Sequence, residues 1–106
     1  MSERPLLEIV ERGEGAARAR LSGDLDIVTS DEVKRELAQV IDDGDRNLTL
    51  DLAGVGFVDS SGLGVLVALH RHAEAKGGGF AVRAVPPQLQ RLFEITRLGD
   101  LLTVAD

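Results

Sequence analysis

Asp51-Leu52-Ala53-Gly54-Val55-Gly56-Phe57-Val58-Asp59-Ser60-Ser61-Gly62-Leu63-Gly64 is the stretch on which the reading of this 106-residue chain turns. Asn47 to Leu52 alternates apolar and polar residues as a strand does. Gly54 to Val58 continues in extended or looped form. A helical pattern then runs from Leu63 to about Lys76, with Leu63, Leu66, Val67 and His70 at helical spacing. Asp59 and Ser60 therefore fall where a strand end meets a helix start, the usual place for ligands and chemistry in an open α/β sheet. The first amides of a helix lack intrahelical acceptors, and the macrodipole adds about 0.3–1 kcal/mol in favour of an anion there. A phosphate on Ser60 would meet ready donors. Gly62 and Gly64 keep the first turn bare for close approach of another backbone, at about 1 kcal/mol each relative to Ala. Asp and Ser are also ordinary caps, and spacing by itself favours that plainer role.

Working outward, Leu6 to Val10 reads as a first strand, Arg12 to Gly15 as a turn, and Ala16 to Leu21 as a half-exposed strand completing a hairpin. Ser22 to Asp26 is predicted as a loop. Thr29 or Ser30 then caps a helix, with Asp31 and Glu32 in its first turn and Val33, Leu37, Val40 and Ile41 as its apolar stripe. Asp42 to Asp45 stops it. Lys76-Gly77-Gly78-Gly79 ends the second helix, and Phe80 to Val85 is a further strand. Pro86-Pro87 opens a third helix carrying Leu89, Leu92, Phe93 and Thr96, which Gly99 breaks before a last strand at Leu101 to Val104. The order β-β-α-β-α-β-α-β implies one α/β domain over residues 1–106, a mixed sheet with helices mainly on one face.

Composition narrows the function. Net charge is −6, with three Phe and no Trp or Tyr, so neither a basic face nor stacking platforms for nucleic acid are supplied. No cysteine is present, which excludes disulfides and thiolate metal sites. No apolar run approaches the roughly 18 residues of a membrane span. Met1 to Pro5 lacks the layout of a signal peptide. A cytoplasmic protein without a cofactor is expected. His70 and His72, two apart on a helix, point to different faces, so no metal site is expected; His70 should pack beside the core and His72 face solvent. Gly77 to Gly79 lacks the Gly-Lys-Ser/Thr of a phosphate loop.

The run from Phe57 to Leu66 resembles the signature of anti-sigma factor antagonists of the STAS domain family. Leu21-Ser22-Gly23-Asp24-Leu25-Asp26 is similar to the family's acidic loop before the first helix, and Gln90 to Leu98 to its third helix. The resemblance implies a binding protein that is not an enzyme. Its partner would be an anti-sigma factor with serine kinase activity and a histidine-kinase-like ATPase fold. The unphosphorylated protein binds that factor and frees a sigma factor; phosphorylation ends the binding, and a serine phosphatase resets it. By the same resemblance the acceptor is Ser60, with Ser61 the less favoured neighbour. Asp24, Asp26 and Asp59 would make the acidic surroundings, and Ser61, Gly62, Leu63 and Gly64 the partner surface. Many family members carry a further helix after the fifth strand, and this sequence ends soon after it.

Two rival readings follow from the same residues. One is a STAS scaffold of a stress-signalling or lipid-transport complex, with Ser60 serving another partner. The other is a small serine hydrolase, which would want a Gly-x-Ser-x-Gly elbow; Val58 stands where its first glycine belongs. A fluorophosphonate probe would separate the hydrolase from both binding roles, and no labelling is expected.

Overall fold

A computed structural model describes residues 6–105; the opening residues 1–5, read above for the absence of a leader, lie outside the described residues. The elements are β1 (Leu6–Gly13), β2 (Ala16–Leu25), α1 (Ser30–Asp42), β3 (Asn47–Val58), α2 (Ser60–Ala75), β4 (Gly79–Arg83), α3 (Pro87–Thr96), a 3-10 turn (Leu98–Asp100) and β5 (Thr103–Ala105). The expected element order holds. The strands line up as β1-β2-β3-β4-β5, with β1 antiparallel to β2 and the other neighbours parallel. The three parallel crossovers all step the same way across the sheet. Right-handedness of such connections then puts α1, α2 and α3 on one face.

The core lies between that face and the helices. Ala17, Ala19 and Leu21 of β2, Leu48, Leu50 and Leu52 of β3, and Phe80 and Val82 of β4 point into it. Val33, Leu37, Val40 and Ile41 meet them from α1, Leu66 and Leu69 from α2, and Leu89 and Phe93 from α3. In the register of the sheet, Arg20, Asp51 and Arg83 stand side by side on alternate positions and face away from the core. Among the described residues no helix is long and apolar enough to cross a membrane.

Several local expectations need correction. Ser22 to Leu25 is not a loop; β2 runs through it, hydrogen-bonded to β3 as far as the Leu25–Val58 pair. The simple alternation fails there because β3 carries extra residues opposite β2, with register shifts between Arg20 and Ser22 and between Gly23 and Asp24. Such bulges displace the period-two pattern, so the buried positions of β3 step from Leu52 to Val55 to Val58. The same shifts hide the strand character of Gly54 to Val58. Helix α2 starts at Ser60, before Leu63, and buries Gly62, Val65, Leu66, Leu69 and Ala73. The stripe read from Leu63, Val67 and His70 is thus rotated toward the margin of the contact. Helix α3 ends at Thr96, ahead of Gly99, because Arg97 takes a left-handed conformation with φ 61°.

Candidate functional site

Strand β3 delivers Asp59 to the start of α2. Asp59 has extended backbone, and its Oδ1 accepts from the Gly62 amide at 3.0 Å, an N-cap that satisfies one orphan donor. Its other oxygen, Oδ2, accepts from the Ile27 amide at 3.1 Å. Its own amide donates to the Leu25 carbonyl at 3.3 Å, and its carbonyl accepts from Leu63 at 3.0 Å. One residue therefore ties the end of β2, the loop after it and the first turn of α2.

Ser60 is the first helical residue and is exposed. Its hydroxyl has no hydrogen-bond partner among the described residues. With Gly62 and Leu63 amides already used, those of Ser60 and Ser61 are the helix donors left without an acceptor among the described residues. Ser61 is half-buried. An anion attached at Ser60 would sit beside two free N–H groups at the positive end of a sixteen-residue helix.

The two glycines of the first turn differ. A Cβ on Gly62 would lie 2.3 Å from the Leu25 carbonyl oxygen and 2.7 Å from Val58 Cγ1. Glycine is required there so that α2 can seat on the end of β2. A Cβ on Gly64 would meet nothing within 4 Å, so the fold places no such demand on it. Leu63 is half-buried against the core cluster.

The three acidic residues are only partly brought together. Asp26 builds the approach to α1: its Oδ1 accepts from the Val28 amide at 3.0 Å and the Thr29 amide at 3.2 Å. Its carbonyl accepts from the Ser30 amide at 2.8 Å and from the Ser30 hydroxyl. Asp26 and Asp59 thus hold the two sides of the Ile27–Val28 tip. Asp24 lies opposite Phe57 in the sheet, with Oδ1 3.6 Å from where a Gly56 Cβ would be. No hydrogen bond joins Asp24 to Asp59 or Ser60 among the described residues. Thr29 takes the N-cap position of α1 without capping by its side chain; its hydroxyl donates to the Asp24 carbonyl at 3.0 Å and accepts from the Asp26 amide at 3.1 Å.

Sequence reasoning passed over Ile27 and Val28, which are 77% and 73% exposed and present apolar surface on the loop held by Asp59. The signal was available: two adjacent apolar residues between a strand end and a helix cap fit neither period. The histidines belong elsewhere. His70 Nε2 lies 3.0 Å from Glu74, with the ring mostly buried. His72 does not simply face water; its Nε2 meets Asp42 of α1 at 2.7 Å.

Comparison with known proteins adds an independent line. The family model described as "Mlab, STAS domain" matches residues 10–103. The anti-sigma F factor antagonist of Paenibacillus polymyxa is 35% identical over 98 residues, covering 92% of this chain and 84% of the relative. Among solved structures, the anti-sigma factor antagonist SpoIIAA in its unphosphorylated form superposes with a TM-score of 0.77 at 25% identity, covering 96% of this chain and 88% of the other. An anti-sigma factor antagonist from Mycobacterium paratuberculosis gives a TM-score of 0.78 at 28% identity, covering 94% and 82%.

Proposed function

Because this chain belongs to the STAS domain family, we propose that it is an anti-sigma factor antagonist switched by phosphorylation of Ser60. In the unphosphorylated state it binds an anti-sigma factor with serine kinase activity, in the cytoplasm, and frees a sigma factor. Transfer of a phosphoryl group to the Ser60 hydroxyl ends that binding, and a serine phosphatase restores it. The protein is the substrate of the kinase and performs no catalysis itself.

The observation that carries this reading is the free, exposed hydroxyl at the first position of α2, beside two unused amides. A kinase can reach the hydroxyl without unfolding anything. The phosphate adds about −1.5 to −2 charges. Within the chain that charge is offset by the helix end, so the fold tolerates it. Toward the partner it is not offset. It arrives beside Asp59 and Asp26 and repels acidic groups or nucleotide phosphates on the facing kinase. Charge and bulk in the interface are then sufficient for release, with no change of fold.

The test is direct. Incubation with the cognate kinase and ATP, followed by mass spectrometric mapping, is expected to place one phosphate on Ser60. Ser60→Ala abolishes labelling, and Ser61→Ala retains it. Labelling that survives Ser60→Ala and vanishes with Ser61→Ala overturns the assignment. Ser60→Asp is expected to weaken kinase binding while the circular dichroism spectrum stays native.

A further inference from the structure

The tip between β2 and α1 stands out in the rest of the molecule. Ile27 and Val28 are the two most exposed large apolar side chains among the described residues, at 77% and 73%. They are held firmly: Asp59 Oδ2 takes the Ile27 amide at 3.1 Å, and Asp26 Oδ1 takes the Val28 amide at 3.0 Å. With the backbone of the tip already tied down, binding has only the side-chain rotamers left to order. Ile27 also borders a shallow groove of about 230 Å³ between the N-terminal halves of α1 and α2, shared with Ser61, Gly64 and Ala68. Gly64 has open space above it.

We propose that the Ile27–Val28 tip is the apolar anchor by which this antagonist holds its anti-sigma factor, with an element of that partner lying over Gly64 in the adjoining groove. The proposal rests on the antagonist reading above and deepens it. Charge identifies the kind of surface that fits. Asp26, Asp31 and Asp59 surround the tip, with Lys34 as the cation of the groove. The partner therefore offers an apolar cup with a basic rim. The tip hangs from the same carboxylate that caps α2, so a phosphate on Ser60, the residue next to Asp59, arrives beside this contact.

Binding of the full chain to each purified serine-kinase-type anti-sigma factor encoded in the same genome tests this. Three variants are compared with the wild type: Ile27→Ser with Val28→Ser together, Gly64→Gln, and Ile95→Ser. Ile95 is 72% exposed on α3 and serves as a control for general stickiness. The double variant is expected to weaken binding about a hundredfold and Gly64→Gln about tenfold, with Ile95→Ser unchanged. All three variants keep the native circular dichroism spectrum and none lowers the melting temperature; Gly64→Gln raises it slightly, because a helical glycine is replaced. If the wild type binds one kinase and the double variant binds it equally well, the anchor is refuted and the antagonist reading stands. An equal loss in all three variants also refutes it. If the wild type binds none of the kinases, the antagonist reading fails and takes the anchor with it.

Discussion

The entries to α1 and α2 are written in similar residues and built to opposite ends. Both follow a strand, and both offer an acid and two hydroxyls: Asp26 with Thr29 and Ser30, and Asp59 with Ser60 and Ser61. At α1 the hydroxyls are consumed. Thr29 and Ser30 are 4% and 6% exposed, and each bonds to the Asp24–Asp26 backbone. At α2 the acid alone does the structural work, and Ser60 is left exposed and unbonded among the described residues. A serine at a helix start thus makes a structural bond or offers an available hydroxyl according to whether its oxygen is already engaged. Residue type does not decide it.

That contrast can be broken or sharpened by substitution. The largest effect is expected at Gly62, where any Cβ collides with the Leu25 carbonyl; Gly62→Ala should cost about 3 kcal/mol, read as a shift in urea midpoint. A neutral result would mean that α2 is not seated on β2 as described. Next comes Asp26→Ala, which removes the side-chain acceptor of the Val28 amide and leaves the Thr29 amide only the Asp26 carbonyl; it should cost about 1 kcal/mol, against less than about 0.5 kcal/mol for Ser60→Ala. Equal losses at the two sites would erase the difference between the entries.

The smallest effect lies at the far ends of the same helices. Asp42, at the end of α1, is held below its ordinary pKa of 3.8, first by the hydrogen bond from His72 and further by the charges of His72 and Lys76, partly opposed by desolvation. A carboxylate with a lowered folded value contributes stability that is present above its ordinary pKa and lost as the pH falls through the lowered one. Asp42→Asn should therefore flatten the acid limb of the stability profile slightly, by removing a small contribution present above about pH 4 and leaving stability at lower pH unchanged. An unaltered acid limb would show that the two helices are not tied there.

Much of this was legible in the sequence, for identifiable reasons. Val33, Leu37, Val40 and Ile41 all lie in the core because α1 packs one regular stripe on the sheet. The hairpin and the element order were legible for the same reason: strict alternation and turn glycines. What failed was local. The bulges of β3 consume residues without advancing the pairing, so no period marks Gly54 to Val58 as strand or Ser22 to Leu25 as its neighbour. Arg97 ends α3 in a left-handed conformation that a sequence reading assigns to glycine. At the site, the motif located Ser60 and Asp59. It could not separate Asp26, occupied with backbone amides, from Asp24 on the far side of the strand, because both are carboxylates of one short acidic run.

The bulges of β3 have one more consequence. They act as a ruler: the number of residues between the last regular pair, Arg20 with Asp51, and the closing pair, Leu25 with Val58, fixes where α2 begins to wind. Deleting one of them, Gly56 for instance, would leave every side chain of the signature intact. It would still turn the first residue of α2 by about 100° around the helix axis. The placement of Ser60 would then be lost with its motif unaltered, so a pattern match alone cannot certify the geometry around that serine.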